Sequence, residues 1–567
     1  MQDVYGEKFR ASLIAGFLFV ALGGLGARLG YFHLANHSRV ERPYTQKLLG
    51  LRGRIFDRNG ALMAASLPMW RFFVDPQAVH PKHNKTFIIN TVSDMLDVPR
   101  DEVAALFAKT NARNQALCVS TSQSAHKVLL CDPKNISGIG AKEVAVRIYP
   151  QGNRMAHLIG FVNWEGVGVA GVEQRQESNL KGVPGWRSGE VNANGKVIGG
   201  RSEMYTPAIP GNDVSLTLDN NIQYVVEQAL KEVVETFQAA SAWAIVQDVR
   251  TGAILAMATD PNFNPGNHTD VSTEAWRNHA VSVVYEPGSI MKAMIVAAAL
   301  KEKLVTPDTA MDAENGVFMY MGKPLHDHVT GWMTVATALA KSSNIICAKI
   351  GLILGPQRMH TYLQDFGFGN PLGIELPGEE KGLLGNWKTW DKLTWSRVPI
   401  GQGVAVTGLQ MVNAYSAIAN GGKLMRPYVI DRVVSPTGEV IHQGMPEIIG
   451  EPIPPEVARA VREMLLGVTE EGGTGKRADV KGYTVAGKTG TAQHAVRGGY
   501  STIDYFASFV GFVPARNPVF CVLVTVDRPR PQHMGGYVAA PVFQKIATFT
   551  ARYLEVPPDV PNEKGFE

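Results

Sequence analysis

The segment YEPGSIMKAMIVAAALK, Tyr285 to Lys301, joins a turn, a serine and an apolar run. Pro287 and Gly288 predict the turn and the residues after them a helix, so Ser289 falls at a helix N-terminus. The i, i+3 spacing of Ser289 and Lys292 puts a hydroxyl and an amine on one helix face. A serine needs a base to act as a nucleophile. Lysine serves as that base only when uncharged, and burial in an apolar helix beside another cation pushes its pKa in that direction. The helix dipole favours negative charge developing at Ser289. Alone, Ser-x-x-Lys is a weak signal, since many helices carry a surface Ser and Lys at this spacing.

Two further elements change its weight. Ser342-Ser343-Asn344 interrupts an apolar helical stretch 53 positions after Ser289. By itself it reads as a helix cap or kink. Lys488-Thr489-Gly490 continues into Thr491-Ala492-Gln493. On a strand, Lys488, Gly490 and Ala492 face one way and Thr489 and Thr491 the other. A glycine there lets another backbone approach the strand.

The surroundings predict an α+β domain. Leu218 to Gln238 has the periodicity of an amphipathic helix with Asp219 as its cap. SAWAIVQDV and AILAMAT, joined by Arg250-Thr251-Gly252, read as a β-hairpin. Helical patterns dominate from Ser289 to about Gly475, and TVAGKTGTAQ, YFASFVGFV and VFCVLVTV then read as strands. A hairpin, a helical block and closing strands imply an antiparallel sheet covered by helices, over residues 213–553. The Pro/Gly cluster Thr206 to Asp213 marks a boundary. Before it, residues 39–210 are irregular and β-rich, with no long amphipathic helix. Within them GRIFDRNGALMAAS, Gly53 to Ser66, reads as strand, turn, strand. Residues 554–567 read as a flexible tail.

At the other end, Ala11 to Ala27 is an uncharged apolar run, extended past Arg28 to about residue 34. That length crosses a bilayer if Arg28 snorkels from one interface. Lys8 and Arg10 precede the run, so residues 1–10 are expected in the cytoplasm and the rest outside. A cleaved signal peptide is the competing reading. Gly26 and Gly30 form a G-x-x-x-G, a weak signal for a second membrane helix.

Composition agrees with a large exported globular chain. The 567 residues are 45% hydrophobic and 19% charged, which excludes disorder and calls for more than one domain. A net charge of +4 with no basic block argues against nucleic acid as a partner. The four cysteines form no C-x-x-C pair, which removes the common zinc and thioredoxin patterns. Cys118 and Cys131 fall in one polar region where pairing stays open, while Cys347 and Cys521 read as buried thiols.

Ser-x-x-Lys, Ser-x-Asn and Lys-Thr-Gly, in this order and in a domain of this size, are a specific combination, the one shared by β-lactamases and penicillin-binding proteins. The chain resembles a class B penicillin-binding protein, and within that family the division-specific (septal) peptidoglycan D,D-transpeptidases. Arg52-Gly53-Arg54-Ile55, Asp57-Arg58-Asn59-Gly60, Gly171-Val172-Glu173 and Gly182-Val183-Pro184-Gly185 match the family's non-catalytic part. Gly401-Gln402-Gly403, Gly535-Gly536 and Ala540-Pro541 match its catalytic part. Met291 stands where the family often has Val or Thr.

The resemblance implies a serine transpeptidase domain, an elongated β-rich pedestal and one transmembrane anchor over residues 11–34. It implies that Ser289 attacks the penultimate D-alanine carbonyl of a stem peptide, with Lys292 taking the hydroxyl proton. Ser342 relays a proton to the leaving D-alanine with help from Lys488, and Asn344 positions substrate and Lys292. Thr489, Gly490 and Thr491 bind substrate, and the backbone N–H groups of Ser289 and Thr491 form the oxyanion hole. No cofactor or metal is implied. Implied partners are peptidoglycan stem peptides, β-lactams, a membrane glycosyltransferase and other divisome proteins. An elongation-type transpeptidase, a D,D-carboxypeptidase or β-lactamase-type hydrolase, and a β-lactam sensor are the alternatives.

Three further patterns carry less. Gly166-x-Gly168-x-x-Gly171 lacks the repeated βαβ context of a dinucleotide site. Glu471 to Lys476 reads as a flexible turn near the active site. His326-Asp327-His328 offers no third metal ligand and reads as a solvated loop.

Overall fold

The structure is a computed structural model describing residues 3–37, 42–109, 111, 113–120, 137–191, 197–198 and 204–560. Cys131, and with it any pairing to Cys118, lies outside the described residues. The chain divides into two compact units, residues 1–51 with 182–210 and residues 52–181 with 211–567.

In the first unit the helix Asp3–His37 runs unbroken through Arg28. Its section Lys8–His33 is long and apolar enough to cross a membrane. Arg42–Leu48 pairs antiparallel with Gly185–Val191, which also pairs with Met204–Thr206.

The second unit is built around an antiparallel five-stranded sheet. Its elements are helix α1 (Asn220–Thr236), strands β1 (Ser241–Asp248) and β2 (Ile254–Asp260), and helices α2 (Lys292–Lys301), α3 (Asn344–Leu354) and α4 (Gly408–Ala419). Strands β3 (Ala486–Val496), β4 (Gly499–Val513) and β5 (Phe520–Asp527) and helix α5 (Gly535–Tyr553) follow. The strand order is β2-β1-β5-β4-β3. Alternation along β1 explains the layering. Ala242, Ala244 and Val246 pack against α1 and α5, with Val226, Leu230, Phe543 and Ile546. Trp243 and Ile245 point to the other face, where α2, α3 and α4 lie. Helix α2 is buried from Lys292 to Ala299, which is why it is apolar on every side rather than on one stripe. The Asp219 carboxylate caps α1 by accepting from the N–H groups of Asn221 and Ile222.

A second sheet joins the ends of this unit. Asp213–Leu216 pairs in parallel with Ile55–Phe56 and antiparallel with Ile430–Val434. Ile55–Phe56 and Leu62–Val74 form the expected strand, turn, strand. Two short helices, Lys85–Leu96 and Arg100–Ala108, stand in this region, which the sequence shows as irregular and β-rich. The β-branched residues of Lys85–Leu96 are weak helix formers. Packing against the strand supplies what propensity lacks, since Ile88, Val92, Val103 and Phe107 bury against Phe72 and Val74.

The G-x-G-x-x-G run serves a buried ion cluster. Gly171–Arg175 is a short helix carrying Glu173, whose side chain is fully buried. Its carboxylate accepts from Arg52 Nε at 2.5 Å and Arg147 Nε at 2.7 Å. Arg52 Nη1 donates to Glu177 at 2.5 Å.

Candidate active site

Ser289 lies in a 3-10 turn, Gly288–Met291, that runs into α2 at Lys292. With three residues per turn, i and i+3 eclipse, so Lys292 stands directly over Ser289. Gly288 has φ +56°, and Gly401 beside it has φ +79°. A Cβ on Gly401 would lie 2.2 Å from the Gly288 carbonyl oxygen, so only glycine lets the two turns pack. Gly288 N donates to Gly401 O at 3.2 Å. Glu286 completes the support, accepting from Gly403 N at 2.9 Å and Tyr500 OH at 3.2 Å.

The apolar packing of α2 carries the Lys292 amine into the interior, where it is fully buried. Nζ donates to Ser342 O at 2.6 Å, Ser342 Oγ at 3.1 Å and Asn344 Oδ1 at 2.8 Å. An ammonium has three protons, and three acceptors stand ready for them. The Ser342-Ser343-Asn344 stretch is both the helix break and the cap expected from sequence. Ser342 sits at φ +60° between helices, and Ser343 Oγ accepts from Ile346 N to cap α3.

Strand β3 is an edge strand and supplies the third wall. Lys488 is fully buried, with Nζ donating to Thr489 O at 3.3 Å. A Cβ on Gly490 would meet Ile290 Cγ2 at 3.1 Å and Pro287 O at 3.2 Å, so this glycine lets the strand lie on the Ser289 turn. A Cβ on Gly288 would stand 3.1 Å from Thr491 O, bringing the Ser289 and Thr491 backbones together. On the other face Thr489 Oγ1 is 2.9 Å from Thr474 Oγ1, and Gly535 N donates to Thr491 Oγ1 at 3.1 Å. The Glu471 to Lys476 turn thus borders the site through Thr474.

Burial lowers the pKa of Lys292, against the opposing charges of Cys347 and Asp327. Burial lowers that of Lys488 further, and the Lys292 charge acts in the same direction. The site therefore holds two lysines displaced toward the neutral amine. Such an amine accepts a proton from a neighbouring hydroxyl, and the arrangement suits acyl transfer through Ser289.

All eight residues read from the sequence as site residues belong to these three converging walls. Several residues that hold the walls escaped that reading. Asp327 was expected in a solvated loop. His326 and His328 are exposed, but the Asp327 side chain has no exposure at all and bonds to Ser343 and Ile345. Glu286 and Thr474 carried no separate signal, because their partners are distant in sequence.

Residues 242–548 match the penicillin binding protein transpeptidase domain and residues 47–216 the penicillin-binding protein dimerisation domain. The probable peptidoglycan D,D-transpeptidase PenA of Neisseria meningitidis is 31% identical over 97% of this chain and 94% of its own. The peptidoglycan D,D-transpeptidase FtsI of Escherichia coli is 30% identical over 97% and 93%. Penicillin binding protein 3 of Mycobacterium tuberculosis, solved with aztreonam, superposes with TM-score 0.70 at 29% identity, covering 91% of this chain and 99% of its own. The chain belongs to the class B penicillin-binding proteins. It is an enzyme of serine acyl transfer, a D,D-transpeptidase of the kind its relatives are named for.

Proposed function

We propose that this enzyme cross-links peptidoglycan stem peptides during septal wall synthesis. Ser289 Oγ attacks the carbonyl carbon of the penultimate D-alanine as its proton passes to the Lys292 amine. The backbone N–H groups of Ser289 and Thr491 stabilise the oxyanion, an effect of about 3–4 kcal/mol per donor in other enzymes. The Ser342 hydroxyl, backed by Lys488, hands a proton to the departing D-alanine amine. Asn344 orients Lys292 and the substrate amide, and Thr489, Gly490 and Thr491 receive the terminal carboxylate. An amine of a neighbouring stem peptide then attacks the acyl-enzyme, forming the cross-link and freeing Ser289. The observation that carries this reading is the three-acceptor cradle of the Lys292 amine, one 3-10 turn from Ser289.

A β-lactam presents its strained amide to the same groups, so Ser289 is acylated by it and stays blocked. The aztreonam complex of the mycobacterial relative supports this. The FtsI likeness and the YEPGS turn support the septal role. In the same reading, residues 39–210 form the non-catalytic domain and residues 213–553 the transpeptidase domain, in line with the two family matches. The N-terminal helix crosses the cytoplasmic membrane with residues 1–10 inside. It also meets a membrane glycosyltransferase of the division machinery, and deleting residues 1–38 should abolish co-purification with that partner.

The test is labelling with a fluorescent penicillin. Wild type should take up one stable label and Ser289→Ala none. A label that survives in Ser289→Ala removes Ser289 as nucleophile, and a label lost within minutes from wild type points to a hydrolase.

A further inference from the structure

The loop that precedes the Ser342-Ser343-Asn344 turn carries a carboxylate with no part in the chemistry above. Asp327 has neither aqueous contact nor a buried cation bonded to it. Its Oδ2 accepts from Ser343 Oγ at 2.5 Å and from Ile345 N at 2.9 Å, and its Oδ1 from His328 N at 2.8 Å. One residue earlier, His326 O accepts from Asn344 Nδ2 at 3.0 Å. The opposite end of the same Asn344 amide accepts from Lys292 Nζ. Ser342 meanwhile keeps φ +60°, a conformation a serine holds only when its surroundings fix it.

We propose that Asp327 is a positioning residue of this enzyme: its buried carboxylate clamps the Ser342-Ser343-Asn344 turn and so fixes the acceptors that hold the Lys292 amine. The inference rests on Lys292 being the base. Two consequences follow from geometry and charge. Loosening the turn misplaces the amine relative to the Ser289 hydroxyl, and small misplacements in such sites cost about a hundredfold in rate. The carboxylate also acts on Lys292 through space, in the direction that favours the protonated amine. The other groups facing Lys292 are Cys347 on α3 and Lys488 on β3. His328, with Nδ1 3.4 Å from Asp327 Oδ1, is the one further titratable group against the clamp among the described residues.

Acylation requires neutral Lys292, so the rate falls at acid pH as the amine is protonated. Removing the Asp327 charge lowers the Lys292 pKa and moves that acid limb to lower pH. The experiment measures the second-order rate of fluorescent-penicillin acylation of the full chain in detergent from about pH 5 to 10, with melting temperatures alongside. Asp327→Asn keeps an oxygen for Ser343 and Ile345 but carries no charge. It should fold, react about ten- to a hundredfold more slowly at its plateau, and show its acid limb at lower pH than wild type. A folded Asp327→Asn with the limb unmoved overturns the inference even if its plateau drops, since general loosening slows a reaction without moving a titration. If Asp327→Asn does not fold, Ser343→Ala carries the test: a lower plateau with the limb in place supports the clamp, and a wild-type plateau overturns it. Wild type that takes no label would instead defeat the assignment of Ser289 and Lys292, a result separable from either outcome at Asp327.

Discussion

The Lys292 amine and the Asn344 side-chain oxygen lie 2.8 Å apart across 52 positions of sequence. The bond ties the helix that presents the nucleophile to the helix break that faces it. A buried amine with that partner has a fixed direction, and its reactivity depends on staying there.

Lys292→Ala removes the base while leaving Ser289 in its 3-10 turn. General bases contribute about 100- to 10,000-fold, so penicillin acylation should fall within that range. The melting temperature should hold, because removing a desolvated polar amine offsets the packing lost with it. Stopped-flow labelling decides it, and a variant within threefold of wild type would assign the proton to another group.

Lys488 is fully buried with a single long hydrogen bond. Its folded-state pKa lies well below the ordinary lysine value. The unfolded chain therefore binds more protons between those two values, and stability rises with pH across that window. Lys488→Met fills the same space without a polar atom. It should gain about 1–3 kcal/mol at neutral pH and show a shallower rise of stability toward alkaline pH. The rise belonging to Lys292 remains. Urea melts at pH 7 and pH 10 are the measurement, and a less stable Lys488→Met contradicts the argument.

Gly490→Ala adds a methyl 3.1 Å from Ile290 Cγ2 and 3.2 Å from Pro287 O. Strand β3 must then withdraw from the nucleophile turn. Overpacking of this size costs about 1–3 kcal/mol. Acylation should suffer more than stability, by about tenfold or beyond, since the strand brings Thr491 to the site. Equal rates in the folded variant would mean that the turn yields instead.

Glu173→Gln leaves Arg52 and Arg147 short of a charge in the interior. Breaking a buried ion cluster costs about 3–5 kcal/mol, read as a lower urea midpoint. The acylation rate of the remaining folded protein should match wild type, because no bond from this cluster reaches Lys292 or Ser289. A midpoint within about 1 kcal/mol of wild type would make the cluster dispensable.

Local physics made much of this molecule legible from its chain. The Arg250-Thr251-Gly252 turn between two apolar runs announced a hairpin, Asp219 announced a helix start, and the Pro-Gly pair before Ser289 announced the nucleophile turn. Each depends on neighbours within a few positions, and so did the spacing that puts Lys292 above Ser289. The helix Lys85–Leu96 was hidden because its residues favour helix only once the strand bearing Phe72 and Val74 covers it. Asp327 was misjudged for a related reason. Two exposed histidines flank it, so composition said water, while its donors Ser343 and Ile345 lie 16 and 18 positions away. The sequence by itself determined which groups could react and which elements would carry them. Only the tertiary structure decided that two lysines lose their water, that Gly401 meets Gly288 and that a carboxylate clamps the turn, because burial and hydrogen bonding across distant segments exist only after the chain has closed on itself.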